Sequence, residues 1–141
     1  MAQIFWDTNL FIYLFDQNPT FGNKVRELRR RMLLRGDHLI TSALTVGEIL
    51  ARSVQEADDD AFRRYRAAFA NPGIRIAAFD LGAAECYARI RQDRSLKPPD
   101  AIQLACAASA GVDLFITNDE RLSRKNVSGI SFITGLTSAP I

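Results

Sequence analysis

The sequence predicts an α/β fold on a mainly parallel sheet, and three observations carry that expectation. Short apolar runs of strand length alternate with longer helical segments, the pattern of βα units. The first run, Gln3-Ile4-Phe5-Trp6-Asp7, is almost continuously apolar, as a strand covered on both faces would be. The segment from Pro98 to Ala110 reads as a helix nearly bare of charge, which belongs in an interior.

Taken in order, Thr8-Asn9 turns the chain out of the first strand into a short helix over Leu10 to Phe15. Asn18-Pro19 is a turn. Phe21, Val25, Leu28 and Met32 then repeat at helical spacing up to Arg35, and Gly36 closes that helix. His38 to Thr41 is the second strand. Ser42 or Thr45 caps the next helix, which should carry Val46, Ile49, Leu50 and Val54 inward. Asp58, Asp59 and Asp60 open another helix at its positive end, with Phe62, Tyr65 and Phe69 along one face. Asn71-Pro72-Gly73 stops it before a third strand, Ile74 to Ala77, and Asp80 caps a helix through Ile90. Two prolines suit the start of the Pro98 helix, where missing N–H donors cost little, and Gly111 suits its end. A fourth strand, Val112 to Ile116, a short helix after Asn118 and a last strand, Ile130 to Ile133, complete the chain.

Composition excludes several classes. At 141 residues, residues 1–141 are expected to form one domain, without repeats or a linker. The longest apolar run, Leu10 to Phe15, has six residues and cannot span a bilayer. No basic residue precedes Asp7, so no signal peptide is expected and a cytoplasmic protein follows. Cys86 and Cys106 lie in apolar helical stretches and read as small core residues with reduced thiols. Two cysteines and one histidine, His38, fall short of a zinc site, and one histidine excludes a two-histidine nuclease. His38, at the start of a strand, is assigned a structural role. No GxxxxGK[ST] loop or GxGxxG turn is present, nor an Asp-x-Asp pair after the first strand. The net charge of +2 says little, but its distribution says more. Lys24, Arg26, Arg29, Arg30, Arg31 and Arg35 crowd one helix, as a solvated face or a phosphate-binding surface.

Ligands of open α/β sheets bind beyond the carboxyl ends of the strands. Asp7 ends the first strand, Asp119 follows the fourth through Thr117-Asn118, Glu48 lies on the helix after the second, and Asp100 opens the Pro98 helix. Each acid also has a purely structural reading. Asp7 suits an Asx-turn, Thr45-Val46-Gly47-Glu48 a capping box, Asp100 a first-turn acid, and Thr117-Asn118-Asp119-Glu120 a helix start. Together they are expected on one rim, with no Lys or Arg obvious as their partner. Like charges about 4 Å apart repel by roughly 4 kcal/mol at an effective dielectric near 20, so such a cluster calls for protons or a hard cation. Crowded carboxylates should accordingly have raised pKa values. All-oxygen ligation suits Mg²⁺ or Mn²⁺, which supports in-line displacement at phosphorus without a histidine base.

At these residues the chain resembles a family. Asp7-Thr8-Asn9 after the first strand, Glu48 on the third helix, Pro98-Pro99-Asp100-Ala101-Ile102-Gln103-Leu104-Ala105 and Thr117-Asn118-Asp119 together resemble the PIN domain, more narrowly its VapC-type toxins. The resemblance runs from Ile4 to about Ile133. It implies a three-layer fold and an Mg²⁺- or Mn²⁺-dependent endoribonuclease. It also implies inhibition by a cognate antitoxin, a homodimer and a toxin–antitoxin hetero-oligomer. Asp7, Glu48, Asp100 and Asp119 carry over as the metal and catalytic acids, and Asn9 and Thr117 as supports. Arg26, Arg29 and Arg30 are candidates for holding RNA phosphates, or for packing against the antitoxin. Two other readings stay open: a PIN nuclease acting in RNA processing or on DNA, and a non-catalytic binding module whose acids are only caps.

Overall fold

Five parallel strands in the order β3-β2-β1-β4-β5 form the sheet of the computed structural model, which describes residues 1–141. In chain order the elements are β1 (Gln3–Trp6), α1 (Thr8–Phe15), α2 (Gly22–Arg35), β2 (His38–Ser42), α3 (Ala43–Gln55), α4 (Asp59–Phe69), β3 (Ile74–Ala77), α5 (Leu81–Ile90), α6 (Pro98–Ser109), β4 (Leu114–Thr117), α7 (Glu120–Ser123) and β5 (Phe132–Gly135). No helix is long and apolar enough to cross a membrane.

The two-sided apolar character of the central strands explains the three layers. Strand residues alternate in direction, so Ile4 and Trp6 face one way and Phe5 the other. Ile4, Trp6, Leu39, Leu114 and Ile116 pack against Leu10 and Phe11 of α1, Val25, Leu28 and Met32 of α2, Ile49 of α3 and Phe69 of α4. Phe5, Ile40 and Phe115 meet Ala83 of α5 and Leu104, Cys106, Ala107 and Ala108 of α6 on the other face. Phe5 and Phe115 stack with ring centroids 4.9 Å apart. The expected α/β class, the parallel sheet and the buried Pro98 helix are all present.

Local expectations fared unevenly. Asp58 and Asp80 cap α4 and α5 by accepting from the amides of Ala61 and Ala83, and Gly36 closes α2 at φ 74°. The capping box at Thr45 does not form. Of the two expected caps of α3, Ser42 is the one found: it leaves β2 extended and accepts from the Thr45 amide, so Glu48 falls beyond the first turn. The buried stripe of α3 is Thr45, Ile49 and Ser53, Val46 packs partly buried against the core, and Val54 is 67% exposed, against expectation. The last two strands begin two residues late, at Leu114 and Phe132; Val112 and Ile130 are still buried in the core. Cys106 is buried with its thiol pushed up to about 11 by burial, while Cys86 is only half-buried.

Two glycines with positive φ test how α6 is seated. Gly111, just past the end of α6, has φ +65° and open space at its missing Cβ, whereas at Gly129, with φ +99°, a Cβ would meet the Ala108 carbonyl oxygen of α6 at 2.9 Å. Gly111→Ala is expected to cost about 1 kcal/mol of unfolding free energy, the left-handed penalty alone. Gly129→Ala should cost about 3 kcal/mol, because the contact adds to backbone strain. Equal losses in urea denaturation would show that the Ala108 contact yields freely.

Candidate active site

The strand order changes direction at β1, with β2 on one side and β4 on the other, so a crevice opens beyond the carboxyl end of β1. Asp7 occupies that position. Its extended backbone makes it the N-cap of α1, with Oδ1 accepting from the Thr8 amide at 2.9 Å. Oδ2 accepts from the Thr117 hydroxyl at 2.8 Å, across from the end of β4. Thr117 is fully buried, and its hydroxyl oxygen also accepts from the Asp119 amide at 3.0 Å, tying α7 to the same point. Burial raises the Asp7 pKa to about 6 despite the Thr117 and Thr8 bonds, and the charges of Asp100 and Glu48 push the same way.

A buried polar lattice lies under this carboxylate. Gln103, one helical turn after Asp100, donates from Nε2 to the hydroxyls of Thr8 at 2.8 Å and Thr45 at 2.7 Å, with a longer approach to Asp7 Oδ1 at 3.4 Å. Its Oε1 accepts from the Ser42 hydroxyl. An amide carbonyl only accepts and an NH₂ only donates, so this arrangement directs the remaining protons. The Thr8 hydroxyl donates to Glu48 Oε1 at 2.9 Å. The ends of β1 and β2, α3 and α6 are thereby fixed to one another through side chains.

Above the lattice is a cavity of about 280 Å³ whose lining includes Asp7, Glu48, Asp100 and Asp119, together with Asn9 and Arg52. All four acids expected on the rim are brought together. Asp100 is the third residue of α6, after Pro98 and Pro99. Burial raises its pKa, the Asp119 charge adds to that, and Arg121 and Lys97 oppose it. Asp119 behaves otherwise. It caps α7, and although burial pushes its pKa up, the Arg121 side chain and amide outweigh burial and hold it below the usual range. The expectation of four acids without a basic partner is therefore corrected. Arg121 Nη2 lies 3.2 Å from Asp119 Oδ2 and 4.0 Å from Asp100 Oδ2. Burial, more than mutual repulsion, raises Asp7 and Asp100, so the simple picture of crowded charges is corrected too.

The other expected residues separate into two groups. Asn9 lines the cavity, and Thr117 supports it from below. Arg26, Arg29 and Arg30 do not line it. On α2, Arg30 pairs with Glu27, Arg26 bonds Asn23 and Arg29 reaches the Gly73 carbonyl at 3.4 Å. The basic group lining the cavity is Arg52, paired with Asp16 at 2.8 Å, and Arg121 reaches Asp119 and Asp100 from outside the lining. Sequence reasoning passed over Thr8, Thr45, Gln103 and Arg121. Gln103 was detectable as the polar residue inside an otherwise apolar helix, and Arg121 as a cation two positions from Asp119.

The donor set is all oxygen, which suits a hard divalent cation. No three acidic, cysteine or histidine side chains come close enough to cage an ion by themselves. An ion that keeps several waters and takes one or two carboxylates fits this arrangement, and Mg²⁺ behaves so.

Comparisons with known proteins agree with the fold. The structure is similar to VapBC2 from Rickettsia felis bound to a promoter DNA fragment, with a TM-score of 0.74 at 12% identity over 94% of this chain and 97% of the other. It is similar to DNA-bound VapBC from Salmonella typhimurium, with a TM-score of 0.73 at 20% identity over 96% and 99%. It is also similar to VapC20 of Mycobacterium tuberculosis, described as a sarcin-ricin loop cleaving toxin, with a TM-score of 0.62 at 17% identity over 80% and 87%. No curated protein matches the sequence. The family model of the PIN domain matches residues 4–127, which include all four cavity acids, and the chain belongs to that family.

Proposed function

We propose that the chain, as a single domain, is a divalent-metal-dependent endoribonuclease and the toxin of a toxin–antitoxin pair. The observation that carries this reading is the convergence of Asp7, Glu48, Asp100 and Asp119 on one cavity at the crevice of a parallel sheet. Mg²⁺ or Mn²⁺ would be held by Asp7 and Asp100, with Glu48 and Asp119 acting through water. When bound, such an ion supplies neutralising charge for a phosphodiester and makes water more acidic. The chain's own residues do the rest. Thr117 and Thr8 aim the Asp7 carboxylate, and the Thr8 hydroxyl leaves Glu48 Oε2 free to accept a proton from an attacking water. Asn9 is placed to hold a phosphate oxygen or a water at the rim.

Similarity to toxin–antitoxin structures supports an antitoxin partner and a hetero-oligomer, and we further propose that the antitoxin covers the acidic cleft and that the chain forms a homodimer. The cleavage assay of the purified protein, freed of antitoxin, tests the reading. RNA should be cut with Mg²⁺ or Mn²⁺, and EDTA should stop it. Asp100→Asn should lower the rate at least about a hundredfold, in line with loss of roughly 2.7 kcal/mol of transition-state stabilisation. Producing the wild type alone should arrest growth, and Asp100→Asn should relieve the arrest. Undiminished cleavage in EDTA contradicts the metal site; cleavage without growth arrest contradicts the toxin assignment.

The buried Asp7 makes a separate prediction in metal-free buffer. Its folded pKa, about 6, stands above the ordinary 3.8, so the native state binds more protons than the unfolded chain between these values. Its contribution is fully present below pH 4 and is lost as pH rises through about 6, a change of about 3 kcal/mol. Asp7→Asn lacks this titration. The unfolding free energy of the variant should therefore gain on the wild type between pH 4 and pH 7. A difference that stays constant across that interval would mean Asp7 ionises freely in the folded protein.

A further inference from the structure

Arg121 lines a cavity beside the acidic cleft and reaches from it to two of the cleft's acids. This cavity, of about 330 Å³, also includes Asp100 in its wall, with Ser95, Arg124 and Lys125. Its Nη2 serves both acids, at 3.2 Å from Asp119 and 4.0 Å from Asp100, while the side chain is 62% exposed. Exposed ion pairs hold weakly. The guanidinium does not lose its charge near neutral pH, so it cannot escape a nearby cation by deprotonating. A divalent ion at these carboxylates would meet that positive charge at close range, and the Arg121 side chain is the one able to leave.

We propose that Arg121 works in two positions: against Asp100 and Asp119 it stands in for the divalent cation, and displaced by that cation it joins Arg124 and Lys125 in holding the RNA phosphate next to the one cut. The proposal rests on the ribonuclease reading above and adds a metal competitor and a phosphate subsite to it. The receiving cavity is suited to an anion. Arg124 is 81% exposed and reaches Glu120 only at 4.0 Å. Lys125 is held in place by Asp93 Oδ2 at 2.8 Å and the Ser95 hydroxyl at 2.7 Å. A guanidinium offers a planar fork that matches phosphate oxygens, so three cations along this wall give a backbone track leading away from the acids. Asp93 and Glu120 offset part of that charge, and Arg121, already in this wall, is the cation whose charge Asp100 and Asp119 hold until metal enters.

Calorimetric titration with MnCl₂, without RNA, tests the first position. Arg121→Gln should bind Mn²⁺ about two- to fivefold more tightly than wild type, because a competing exposed ion pair has gone. Arg124→Gln, away from the acids, should bind it as wild type does. The salt dependence of KM for RNA cleavage in saturating Mn²⁺ tests the second position. For Arg121→Gln and for Arg124→Gln, KM should rise and the log–log salt slope should fall by about 0.7, the signature of one lost phosphate contact on a single strand. Unchanged or weaker Mn²⁺ binding by Arg121→Gln, or a salt slope that does not move, overturns the inference while leaving the ribonuclease reading intact. A wild type that neither binds Mn²⁺ nor cuts RNA overturns both.

Discussion

The site depends on one buried carboxylate being held where the sheet reverses its order. Asp7 is only 9% exposed, yet both its oxygens accept hydrogen bonds, from the Thr8 amide and the Thr117 hydroxyl. Burying a carboxylate is costly unless it is bonded or neutralised, and the raised pKa shows that two bonds do not offset burial fully. A cation at the cleft would remove the remainder. The burial that raises the Asp7 pKa is also what a cation at the cleft would relieve.

The layers beneath are arranged to keep that carboxylate from relaxing. Thr117 couples Asp7 to the start of α7, and Gln103 couples the ends of β1 and β2 to α6 through Thr8, Thr45 and Ser42. Every member of this lattice except the carboxylates is neutral, so it fixes direction without adding charge. Buried networks of this kind rigidify when all members are satisfied. The apolar floor of Phe5, Phe115 and Leu104 on one face, and Trp6 and Phe11 on the other, keeps water from replacing these bonds.

Much of this was legible in the sequence because local rules agreed with the global fold. The continuous apolar run at Ile4 to Trp6 marks a two-sided strand, and Pro98-Pro99-Asp100 marks a helix start with an acid in its first turn. Asp58 and Asp80 cap as their positions suggest. What escaped depends on contacts between distant segments. Whether Glu48 belongs to a capping box turns on where α3 begins, and that is decided by Ser42 at the end of β2. The α2 arginines look like a binding surface in sequence, but the helix sets Arg26, Arg29 and Arg30 away from the acids. Arg121 is close to Asp119 in sequence, yet its reach to Asp100 exists only because α6 and α7 begin at the same rim.

We propose that these four acids bind a divalent cation at this rim. Paramagnetic broadening of backbone amide signals by substoichiometric Mn²⁺ measures it directly. The amides of Thr8, Asn9, Ala101 and Glu120 should fade first, while those of Gln3, His38 and Asp113 at the opposite edge of the sheet persist. Broadening centred on Asp58, Asp59 and Asp60, or spread evenly over the surface acids, would contradict it.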